Sequence, residues 1–98
     1  MGRRPTFLDR ARELASNAWI DAELAVAAGD WERAAGILDG IGAVGEAAET
    51  RRVGAELLVR DGRRDDAEAL LEPALAFYES VGATARVQAG RALLTASA

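Results

Sequence analysis

The sequence predicts an all-α chain, and three observations carry that expectation. Apolar residues recur three and four positions apart through most of the chain, the spacing of one helix face. β-Branched residues are scattered, with no run that reads as a strand. The block AELAVAAGDWERAAGIL (Ala22–Leu38) returns 33 residues on as AELLVRDGRRDDAEALL (Ala55–Leu71), the self-similarity of stacked helical hairpins.

Five helices follow in order. The first is expected from about Thr6 to Ala28, with Thr6 as N-cap and Asp9 three residues on, close to a capping box. Gly29 ends it, since glycine enters the left-handed conformation of a helix stop without steric cost. A second helix runs from about Trp31 to Ile41, with small Ala34 and then Leu38 on its inner face. The third is expected over about Glu46 to Arg60, stopped by Gly62 as the first is by Gly29. The fourth covers about Asp65 to Ser80, with Ala67 and Leu71 repeating Ala34 and Leu38. Pro73 lies inside it, where it removes a backbone hydrogen bond and crowds the carbonyl of Ala69. Gly40 stands 33 residues earlier, so a bend is expected at both places. A fifth helix, about Thr84 to Ala96, caps the array. A chain of 98 residues is then one domain, 1–98: a first repeat over about 15–45, a second over about 48–81 and a capping helix over about 84–96.

The stretch GIGAVG, Gly40 to Gly45, fits the glycine spacing of a dinucleotide-binding turn. Such a turn must follow a buried strand and open a helix. Here Ala34, Ile37, Leu38 and Ile41 continue a helix face into it, so the stretch reads as a joint between helices. Val44-Gly45 pairs with Val81-Gly82, 37 residues on, which makes the fourth helix longer than the second by about one turn.

Composition narrows the chemistry. Histidine, cysteine and lysine are all missing, which removes the commonest general base, thiolate ligands and an amine nucleophile. Asp65-Asp66 and Glu46/Glu49 sit at helix starts, where acids favour the helix dipole. Ser16, Ser80 and Ser97 have no base to activate them. No catalytic residue, cofactor or metal is therefore expected, and the chain reads as non-enzymatic. Its net charge of −4, with arginines dispersed singly or in pairs, argues against nucleic acid as partner. No apolar stretch nears the ~20 residues of a membrane helix, so a cytoplasmic location is expected. The Ala, Gly and Arg content suggests a GC-rich genome.

The repeated positions Ala22/Ala55, Gly29/Gly62, Ala34/Ala67 and Leu38/Leu71 resemble the tetratricopeptide repeat. Gly29-Asp30-Trp31 matches its turn, while Ala18 and Arg51 stand where that family has an aromatic and its closing proline is missing. The end of the chain, Pro73 to Ala98, is similar to the C-terminus of large bacterial signalling proteins. These carry a class III nucleotidyl cyclase domain and an AAA-type ATPase module, or are LuxR-type regulators. The resemblance implies two antiparallel helical hairpins in an α–α superhelix. It also implies a regulatory or scaffolding region that binds a protein or peptide, and no cyclase or ATPase activity.

In such arrays the first helix of each hairpin lines a concave groove. Carried across position by position, that groove comprises Ser16, Trp19, Glu23 and Val26 from the first helix and Glu49, Arg52, Glu56 and Arg60 from the third. Trp19 and Arg52 hold equivalent places and suit an aromatic–cationic patch. In the last helix Ala85, Ala89, Ala92 and Leu93 widen the apolar face beyond what one neighbour covers. A homo-oligomer is thus the second expectation, and a small molecule held between the hairpins is the third.

Overall fold

A computed structural model describes residues 7–96. It contains α1 (Phe7–Ala27), α2 (Trp31–Gly40), α3 (Val44–Arg60), α4 (Arg64–Ser80) and α5 (Thr84–Ala96). No strand occurs among the described residues, and no helix there is long and apolar enough to cross a membrane. The Thr6 cap and the side chain of Asp9 lie outside the described residues. Successive helices pack on one another, α1 on α2, α2 on α3, α3 on α4 and α4 on α5. α3 also approaches α5. The result is two antiparallel hairpins and a fifth helix.

One local device makes every turn. Gly29, Gly42, Gly62 and Gly82 all have positive φ, from 70° to 81°. At Gly62 its N–H donates to Val59 O at 3.0 Å, and the Arg63 N–H donates to Leu58 O at 2.8 Å. The same pair of bonds recurs around Gly29, Gly42 and Gly82. This is the Schellman stop, which satisfies carbonyls that a helix end leaves open. Each next helix begins two residues after its glycine. Identical stops and identical restarts give each successive helix the same reversal.

The joint within GIGAVG is therefore Gly42, and the partner of Val81-Gly82 is Ile41-Gly42. α3 starts at Val44, two residues before the expected Glu46, and Val44-Gly45 belongs to its first turn. Three glycines crowd this stretch, and the one that must be left-handed carries no separate mark in the sequence. As a consequence α4, with 17 residues, exceeds α2, with 10, by about two turns instead of one. At the two expected weak points the helices differ. α2 ends at Gly40, whereas α4 continues past Pro73, held on the core side by buried Ala74 and Tyr78.

The core is built from alanines and a few leucines. Ala34, Ala55, Ala67 and Leu71 are fully covered, and Ala22 and Leu38 nearly so. Small residues let the helices approach closely, and Leu71 is the largest fully buried side chain. Two clusters form. Ala22, Ala35, Leu38 and Ala47 fill the first, and Ala48, Ala55, Ala67, Leu70, Leu71, Ala74, Tyr78 and Val87 fill the second. Each borrows from the other hairpin. Ala47 of α3 closes the first, and Trp31 of α2 packs against the second. Trp31 lies over Gly54, where a Cβ would fall 2.6 Å from the ring carbon Cδ2. Leu75 uses Gly90 of α5 in the same way.

The array is extended. Its Cα radius of gyration is 16.2 Å, against about 13 Å for a compact chain of ~100 residues. Its principal extents are 63 × 30 × 15 Å, a slab two helix layers thick.

Gly36 and Gly62 both face open space, but only Gly62 is left-handed, at φ +76°. Gly62→Ala is expected to destabilise by about 1–2 kcal/mol. Gly36→Ala, inside α2, is expected to stabilise by about 0.5–1 kcal/mol. Urea melts of both variants check this opposition of sign.

Candidate functional site

The site begins with what α1 and α3 present. Trp19 is 41% exposed. With Leu38 of α2 and Gly45, Glu46, Glu49 and Thr50 of α3, it lines an open cleft of about 450 Å³ between the first hairpin and α3. Other apolar side chains are exposed on the same two helices. Val26, seven residues beyond Trp19, is half-exposed, as are Val53 and Leu57 on the turns of α3 that follow Thr50. The cleft persists because α1 packs on α2, whereas α3 is drawn toward α4 and α5.

The eight groove positions divide into three sets. Trp19 and Glu49 share the cleft just described. Arg52 and Glu56 line a smaller one of about 130 Å³ between α3 and α5, with Ala89, Gly90 and Leu93. Ser16, Glu23 and Val26 are exposed on α1, and Arg60 is exposed on α3 in an ion pair with Glu56 at 3.8 Å. Trp19 and Arg52 line different clefts. Arg52 lies between two carboxylates, 3.1 Å from Glu49 and 3.7 Å from Glu56.

Glu49 is the centre of the polar network that ties the last three helices. It accepts from the Tyr78 hydroxyl of α4 at 2.5 Å, from Arg52 at 3.1 Å and from Arg86 of α5 at 3.0 Å. Burial pushes the Glu49 carboxyl up, but the hydrogen bonds from Tyr78 and Arg52 and the charges of Arg52 and Arg86 outweigh it, so its pKa is lowered. The Arg52 guanidinium is held further up by its bond to Glu49. Tyr78 is pushed up to about 12, first by burial and then by its bond to the ionised Glu49. Nothing local marks this cluster, because Tyr78 and Arg86 lie 29 and 37 residues from Glu49 and on different helices.

A second ion-pair device was within reach of sequence reasoning. Arg51 of α3 donates to Asp39 of α2 at 2.9 Å, and Arg91 of α5 donates to Glu79 of α4 at 2.7 Å. Each pair spans 12 residues across a Schellman turn, so an acid before the glycine and an arginine after it was the available signal. Arg51 also reaches Glu32 at 3.3 Å. It is buried, and its Nε makes no hydrogen bond.

No group of three or more acidic side chains among the described residues could hold a metal ion. Comparison with protein-family models, with curated proteins and with solved structures finds no match to this chain.

Tyr78 is the single tyrosine, and lysine and cysteine are missing, so little else titrates near it at alkaline pH. The ultraviolet absorbance of its phenolate is expected to rise with a midpoint about 12. The unfolded chain releases that proton first, near pH ~10. Stability is therefore full below pH ~10 and falls as pH rises through the folded value. Glu49 acts oppositely: its contribution is present above the usual carboxylate pKa and is lost as pH falls through its lowered one. A phenolate midpoint at the ordinary value would contradict the Glu49–Tyr78 bond.

Proposed function

We propose that this chain is a non-enzymatic protein-association module. It would serve as a tetratricopeptide-like helical-repeat region with a regulatory or scaffolding role in a bacterial signalling protein. The observation that carries the reading is the half-exposed Trp19 over the apolar cleft between the first hairpin and α3. A large indole beside Leu38, with further exposed apolar side chains at Val26, Val53 and Leu57 on α1 and α3, offers contact area at low conformational cost. Carboxylates at Glu46 and Glu49 edge it. An extended two-layer slab also suits such a role, since it exposes long helix faces that a compact domain would cover. The 33-residue recurrence and the Gly29-Asp30-Trp31 turn support the family resemblance.

Selection of a random peptide library on the immobilised chain tests this. Enriched peptides are expected to bind the parent chain and to lose most of that binding to Trp19→Ala, whose helical circular dichroism stays unchanged. Peptides that bind the variant equally, or no enrichment at all, would contradict an association surface at this face.

A further inference from the structure

The charges of α1 are arranged differently from those of α3. Arg51, Arg52, Arg60, Arg63, Arg64, Arg86 and Arg91 each enter a salt bridge. Among the described residues Arg10, Arg12 and Arg33 enter none. The acids show the same contrast. Glu56 lies between Arg52 and Arg60, one turn to either side, and pairs with both. Its equivalent in the first hairpin, Glu23, has Trp19 and Ala27 in those places and forms no ion pair among the described residues.

Two of these groups, Arg12 and Glu23, share one side of α1. Arg12, Ser16, Trp19, Glu23 and Val26 follow at spacings of four, three, four and three, the seam of a helix that pairs with another. All five are exposed. Within one chain Arg12 and Glu23 cannot meet, because eleven residues at ~1.5 Å each hold them about 16 Å apart. An antiparallel second helix removes the separation. With the two-fold axis between Asn17 and Ala18, Arg12 of one copy falls opposite Glu23 of the other, twice, and Trp19 of each falls opposite Ser16.

We propose that the occupant of the α1 face is a second copy of this chain, its α1 lying antiparallel along the first, with two Arg12–Glu23 pairs setting the register around a central pair of Trp19 rings. This rests on the reading of that face as an association surface and names its partner. The ion pairs fix orientation, since a parallel arrangement or a shifted register sets like charges together or leaves both unpaired. The indoles supply the contact area. A face of this mixed character gives a dimer that weakens as salt rises.

Charge reversal tests the register, with mass by light scattering as the readout. The parent chain is expected to shift from monomer to dimer between low micromolar and millimolar concentration. Arg12→Glu and Glu23→Arg should each weaken the dimer about tenfold or more, because each creates two like-charge encounters. An equimolar mixture of the two variants should dimerise again, since every pair across the mixed dimer is then opposite in charge. A parent chain monomeric throughout would overturn the proposal while leaving peptide binding at Trp19 intact. A dimer indifferent to either reversal, or one not restored by mixing, would overturn it as well.

Discussion

The second hairpin is seated against the first around the indole of Trp31, laid over Gly54. Trp31 belongs to the first hairpin in sequence and packs against the core of the second. It can do so only because Gly54 has no side chain, since a methyl group there would clash with the ring, 2.6 Å from its Cδ2. Buried Arg51, one turn before Gly54, then ties α3 back to Asp39 and Glu32 on α2. One apolar plug and one cation fed by two acids thus fix α2 against α3. The indole provides the burial, and the ion pairs select the direction in which the helices face each other. An alanine-rich core needs such a joint, because its small side chains allow close approach without strongly preferring one arrangement.

The sequence made the hairpins legible and concealed much of what joins them. Ala34 and Leu38, repeated as Ala67 and Leu71, declared the buried face, and Gly29 and Gly62 declared two of the stops. Local rules suffice there, since a helix face and a helix stop depend on residues a few positions apart. The stop before α3, expected at Val44-Gly45, lies at Gly42, because Gly40, Gly42 and Gly45 each fit a local rule and packing decides between them. Recurrence does not by itself mark burial. Leu24 and Leu57 repeat faithfully, yet both are exposed, and Leu24 is 63% so. The reason for a glycine at position 54 lies in Trp31, more than twenty residues away in sequence and packed over it. Of the groove positions, the sequence put all eight on α1 and α3, but it could not foresee that Arg52 would be taken up by Glu49 and Glu56.

The same joint explains why the two ends of the slab differ. α3 is covered on one side by α4 and α5, and its charges are largely satisfied, with Glu49 holding Tyr78, Arg52 and Arg86 together. α1 has α2 alone as a close neighbour. At the position equivalent to Gly54 it carries Asp21, which leaves no seat for a second indole of the Trp31 kind. The exposed Trp19, the unpaired Glu23 and the apolar walls of the cleft are consequences of that imbalance. A surface left open by the packing rules of the array is the natural place for a partner.

The most direct test of this account is a double-mutant cycle between Trp31→Ala and Gly54→Ala, read by urea unfolding. In the parent chain Gly54→Ala should cost about 1–3 kcal/mol, because the new methyl group displaces the indole. In the Trp31→Ala background the same change should be neutral or stabilising by up to ~1 kcal/mol, the helix preference of alanine over glycine. The coupling would then exceed about 1 kcal/mol. Equal costs in both backgrounds would contradict the Trp31–Gly54 contact as the joint between the hairpins.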